Sequence, residues 1–113
     1  MLDLDPRSAI ILKALIRSHV PFAEVWAFGS RVTRKAHAGS DLDLLIRTPG
    51  ALHQPVPNLA GLKSAIEESS VPLLVDLHDW ALLPGSFQKE IERAHVVFVT
   101  PLLNAPTLTT VAS

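Results

Sequence analysis

At 113 residues the chain is the size of one domain, and its 48% apolar and 19% charged residues are the balance of a globular protein with a real core. Ten basic against eleven acidic residues leave a net charge of -1, which gives no support to the strongly basic face that extended nucleic-acid binding needs. The absence of cysteine removes disulfide and thiolate–zinc chemistry, no apolar run approaches the ~20 residues of a spanning helix, and MLDLDPRSAI lacks the order of a signal peptide. A cytoplasmic protein without a membrane segment is the expectation.

Asp5-Pro6 predicts a helix start, with Asp5 as N-cap and Pro6 in the first turn. Ile10, Ile11, Ala14 and Leu15 follow at helical spacing, and Pro21 closes the segment. Ala23 to Phe28 is short, apolar and followed by glycine, the pattern of a buried strand. Ser30 to about His37 is polar and begins as a helical turn. Asp41 to Arg47 is the second strand, and a proline-rich loop runs on to Pro57. Asn58 caps a helix with Leu59, Leu62, Ala65 and Ile66 on one side. Val71 to His78 is the third strand, and Asp79 to Pro84 a connection. Ser86 starts a helix with Phe87, Ile91 and Ala94 at i, i+4 and i+7, and His95 to Thr100 is the last strand. Residues 1–100 then form the domain, and Pro101 to Ser113 is a tail with little to pack. This order predicts an α+β (mixed α/β) fold, a small mixed sheet of about four strands with helices packed on one face.

The chemistry concentrates in Gly29 to Ile46, GSRVTRKAHAGSDLDLLI. Alternation along the strand puts Asp41, Asp43 and Leu45 on one face and Leu42, Leu44 and Ile46 on the other, with the two aspartates roughly 7 Å apart. That span suits two carboxylates holding a metal pair about 3.5–4 Å apart, or one Mg²⁺ with the triphosphate it carries. The same alternation describes a strand with one wet face. Gly29-Ser30 differs from the chain's other Gly-Ser pairs in lying between an apolar strand and the two aspartates. There glycine lets the backbone approach a phosphate, and Ser30 adds a hydroxyl donor. Arg31 and Arg34, in a basic cluster with Lys35 and Arg47, are candidates for phosphate neutralisation or simply solvated arginines.

Asp76 is bracketed by aliphatic residues and costly to bury as an unpaired anion. A neighbouring strand that brings it beside Asp41 and Asp43 explains that cost, and three like charges need a divalent cation. An edge residue facing water, or paired with an arginine, is the competing account. His78 shares the face of Asp76 and is a candidate to support a metal ligand there, yet a strand-end histidine in water is the default. Trp80, near Leu82, Leu83 and Phe87, belongs to an apolar contact surface or to the core.

Gly29-Ser30, ten residues, then Asp41-Leu42-Asp43 resembles the signature of nucleotidyltransferases of the DNA polymerase beta superfamily, and Asp76 resembles that family's third carboxylate. The short chain is similar to the minimal nucleotidyltransferase (MNT) branch. The resemblance implies Mg²⁺, two ions, on Asp41, Asp43 and Asp76, with Asp76 also a base for the attacking hydroxyl. It implies phosphate held by Ser30 and the amides around Gly29, and a nucleoside triphosphate such as ATP as donor. It further implies an MNT antitoxin that adenylylates a HEPN-type helical toxin, the acceptor-binding half being supplied by a partner chain in a homo- or hetero-oligomer. Two other readings stay open: a nucleotidyltransferase subunit acting on a small molecule beside a substrate-binding partner, and a binding module that neutralises its partner by docking.

Overall fold

The computed structural model describes residues 2–33 and 39–103. Helix α1 (Pro6–His19) starts as the sequence predicts, because the Asp5 carboxylate accepts the Ser8 amide at 3.0 Å. Its buried stripe is Ser8, Leu12 and Ile16, however, while Ile10 is 70% exposed. Residues 9–12 and 14–16 are all apolar, so periodicity alone leaves the inward face undetermined. Packing chooses the i, i+4, i+8 row headed by the small Ser8.

The sheet has the order β3-β2-β1-β4. Strand β1 (Glu24–Phe28) runs antiparallel to β2 (Leu42–Arg47) and to β4 (His95–Val99), and β2 is parallel to β3 (Val75–Asp79). A parallel pair needs a crossover, and α3 (Leu59–Glu67) lies in that connection. All four predicted strands are shortened at one end. Asp41 precedes the β2 ladder, and residues 71–74 lie outside β3, where Pro72 has no amide to give. The carbonyl of Leu74 still accepts the Leu42 amide at 2.9 Å. Asn58 stands at the N-cap of α3 with a left-handed backbone (φ 63°), but its side chain makes no cap hydrogen bond, and its amide donates to the His19 carbonyl instead.

Val25, Ala27, Leu42, Leu44 and Ile46 face Leu12, Ile16, Leu62 and Ile66, so α1 and α3 cover one side of the sheet. A bulge in β4 sends both Phe98 and Val99 into this core. The opposite side is not bare. Trp26, Phe28 and Leu45 pack there against Trp80, of the 3₁₀ turn Trp80–Leu82, and Ile91 of α4 (Gly85–Arg93). Trp80 is thus core, and Ala94, at the end of the predicted helical stripe, is exposed. Arg47 closes the far end of this face. It pairs with Glu24 at 3.0 Å, with its guanidinium 4.5 Å from the Trp26 ring and 5.1 Å from Trp80. Of the segment after Thr100, Leu102 and Leu103 both donate their amides to the Pro21 carbonyl; residues 104–113 lie outside the described set.

Candidate active site

The second face carries carboxylates at the end remote from Arg47. Phe28 is registered with Asp43, and Asp43 with Asp76 across the parallel ladder, so the two aspartates are cross-strand neighbours on one face. Gly29 follows Phe28 with φ +83°, a conformation that favours glycine. A Cβ built on Gly29 would sit 2.5 Å from Asp43 Oδ2, so the missing side chain is the space the carboxylate occupies. After the turn, Ser30 opens the short α2 (Ser30–Thr33), whose Val32 and Thr33 amides return to the Gly29 carbonyl.

His78 completes the cluster. Its Nε2 lies 3.4 Å from Asp43 Oδ1, and ligand atoms of Asp43, Asp76 and His78 all fall within 4.8 Å of one another. The imidazole meets Phe28 edge-on at 5.1 Å and Phe87 at 6.2 Å. Half-burial pushes the Asp43 carboxyl above its ordinary value; the His78 contact opposes this, and the charges of Asp76 and Asp41 add to the rise. An anion held at such cost, next to a second carboxylate on the neighbouring strand, fits a divalent cation. The oxygen donors of Asp43 and Asp76 are of the kind Mg²⁺ takes.

The family model of the polymerase beta nucleotidyltransferase domain matches residues 11–101, and thus spans both the turn and the carboxylates. The chain belongs to this family. It is an enzyme, a nucleotidyltransferase of the MNT type. Its sequence is 42% identical over 98 residues to the probable protein adenylyltransferase MntA of Haemophilus influenzae, covering 85% of this chain and 82% of that protein. A solved structure described as a toxin-antitoxin with AMP-PNP has the same fold, with a TM-score of 0.66 and 20% identity over 86% of this chain and 74% of its own.

Set against the expected sites, the nucleotidyltransferase brings Gly29, Asp43 and Asp76 together. Asp41 is exposed, two residues before Asp43, and is not in the cluster that Asp43 forms with Asp76 and His78. Ser30 is half-buried directly after Gly29. Arg34 lies outside the described residues. Arg31 is engaged with backbone carbonyls. Its Nε and one terminal nitrogen donate to the Ser40 carbonyl at 3.0 and 2.8 Å, and the other donates to the Asp3 carbonyl at 3.0 Å. The Asp3 amide returns a bond to the Arg31 carbonyl at 2.8 Å. Arg31 therefore ties the chain just before Asp41 to the N-terminal segment. Arg31→Lys should lower stability by about 1–2 kcal/mol in urea unfolding, because one ammonium cannot replace a planar fork on two carbonyls. Unchanged stability together with weakened nucleotide binding would return Arg31 to the phosphate.

The contact between His78 and Asp43 is one the sequence does not reveal. Its signal was the i, i+2 spacing from Asp76 on one face; what the spacing could not reveal was the pair of phenylalanine rings that aim it inward.

Proposed function

We propose that this nucleotidyltransferase transfers an adenylate from ATP to a hydroxyl of a partner protein, as the antitoxin of a HEPN/MNT toxin–antitoxin pair in the cytoplasm. The observation that carries the reading is the meeting of the Gly29 turn with the registered carboxylates of Asp43 and Asp76. Likeness to a probable protein adenylyltransferase supports the adenylate and the protein acceptor, and the fold neighbour's toxin-antitoxin description supports the partner.

In this reading Asp43 and Asp76, joined by Asp41 from the exposed edge, hold Mg²⁺, two ions with the triphosphate. The ions, when bound, offset the triphosphate's charge and polarise its α-phosphorus. Ser30 and the amides after Gly29 grip the phosphates. The acceptor hydroxyl oxygen bonds to the α-phosphorus as the bond to the bridging oxygen breaks, pyrophosphate leaves, and Asp76 takes the hydroxyl proton. Positioning and charge account for most of such a transfer.

Incubation with ATP, Mg²⁺ and a HEPN-type candidate partner should add one adenylate to that partner by intact mass. The Asp41→Asn, Asp43→Asn double variant should add none. Neutralisation of the partner by the double variant at the wild-type level would mean that docking, not transfer, is the mechanism.

A further inference from the structure

An imidazole in a cluster of cation-binding carboxylates changes which cation the cluster prefers. His78 follows Asp76 by two residues on β3, and its Nε2 stands 3.4 Å from Asp43 Oδ1. Charge-assisted bonds between nitrogen and a carboxylate span about 2.7–2.9 Å, so this contact is a slack hydrogen bond. Two donors about 2.0–2.2 Å from one ion lie roughly 2.9–3.6 Å apart at octahedral to tetrahedral angles. The observed spacing is that of neighbouring ligands, and Asp76 offers a third donor within 4.8 Å of both.

The ring is also held in place. Phe28 meets it at an interplanar angle of 62° and Phe87 at 87°, and the two phenylalanines pack edge-on to each other at 5.9 Å. Moving the ring out of the cluster would break this aromatic packing.

We propose that His78 is a nitrogen ligand to the cation shared by Asp43 and Asp76, and that it tilts this site from Mg²⁺ toward first-row transition ions such as Mn²⁺. The inference rests on the cation-dependent transfer proposed above. Mg²⁺ takes oxygen donors and keeps its waters, whereas imidazole is a better partner for transition ions. A nitrogen donor therefore adds affinity for Mn²⁺ that Mg²⁺ does not share.

The test uses the full chain with Mn²⁺ and no nucleotide, so that no adenine nitrogen enters the spectrum. Electron spin-echo modulation should show an imidazole ¹⁴N coupled to the bound Mn²⁺. His78→Phe, which keeps the ring packing, and His78→Gln, which keeps a donor for Asp43, should both lose that coupling. By calorimetry both should weaken Mn²⁺ by about tenfold or more while Mg²⁺ changes less than about threefold. Mn²⁺ bound without ¹⁴N coupling, or coupling that survives in both variants, overturns the role of His78 and leaves the carboxylate site standing. A wild-type chain that takes up no more Mn²⁺ than Asp43→Asn overturns the cation site itself, and the proposed function with it.

Discussion

Asp43→Asn should reduce nucleotidyl transfer by about a thousandfold or more while raising the melting temperature of the cation-free protein. Both effects come from one carboxylate. It is half-buried beside Gly29, next to Asp76 on the neighbouring strand, and its carboxyl is pushed above the ordinary value, chiefly by burial. A carboxyl whose folded value exceeds its unfolded one contributes stability that is complete below the unfolded value and is lost as pH rises through the folded value. At neutral pH the wild-type fold therefore carries the full cost of the anion. Asparagine has no proton to lose, and its side-chain oxygen can still accept from His78. In EDTA at neutral pH the variant should melt above wild type, and the gap should close as the pH falls and wild-type Asp43 takes up its proton.

Added Mg²⁺ should reverse the order. A cation that binds only the folded state stabilises it by RT ln(1 + [L]/Kd), about 2.7 kcal/mol at a hundredfold excess over Kd. Wild type should gain from Mg²⁺ in a thermal titration, and Asp43→Asn should gain little. A variant that melts below wild type in EDTA would mean that Asp43 is a structural hydrogen-bonding group. Retention of a tenth of the transfer rate would remove it from the reaction centre.

Much of this was legible before any coordinates. The Asp-Leu alternation points to the wet face of β2 at its start, and register makes Asp76 the neighbour of Asp43, but Asp76 is exposed on the edge strand β3, so a cost of burial is not what marks it. Local rules placed α1, because Asp5-Pro6 can cap and start a helix whatever surrounds it. Where the reading strayed, the deciding contacts were distant in sequence. Which face of α1 turns inward depends on α3 and the sheet, so Ile10 could not be recognised as exposed from its neighbours. Proximity to Gly29-Ser30 offers Arg31 as a phosphate candidate or a solvated arginine, and does not reveal its carbonyl partners at positions 3 and 40. His78 owes its aim to Phe28 and Phe87, which come from two other elements. Trp80 was ambiguous for the same reason, since its core role depends on Trp26 across the sheet face at 5.6 Å.

Gly29→Ala should separate backbone strain from site geometry. The residue's φ of +83° is costly for any side chain, on the order of 1–2 kcal/mol. The new Cβ would also stand 2.5 Å from Asp43 Oδ2. That oxygen ends a short side chain that can swing aside, so the contact costs little stability and much placement. An ångström of displacement at a reacting centre is worth about a hundredfold in rate. The variant should therefore lose roughly 1–2 kcal/mol in urea unfolding and about a hundredfold in transfer. In an Asp43→Ala background the stability loss should persist, since the backbone strain remains, but no further activity should disappear, since there is no carboxylate left to displace. If instead the stability loss vanishes in that background, the clash with Asp43 is its source and φ is not. If Gly29→Ala keeps transfer within about threefold of wild type, well short of the cost of such a displacement, the turn does not set the position of the carboxylate.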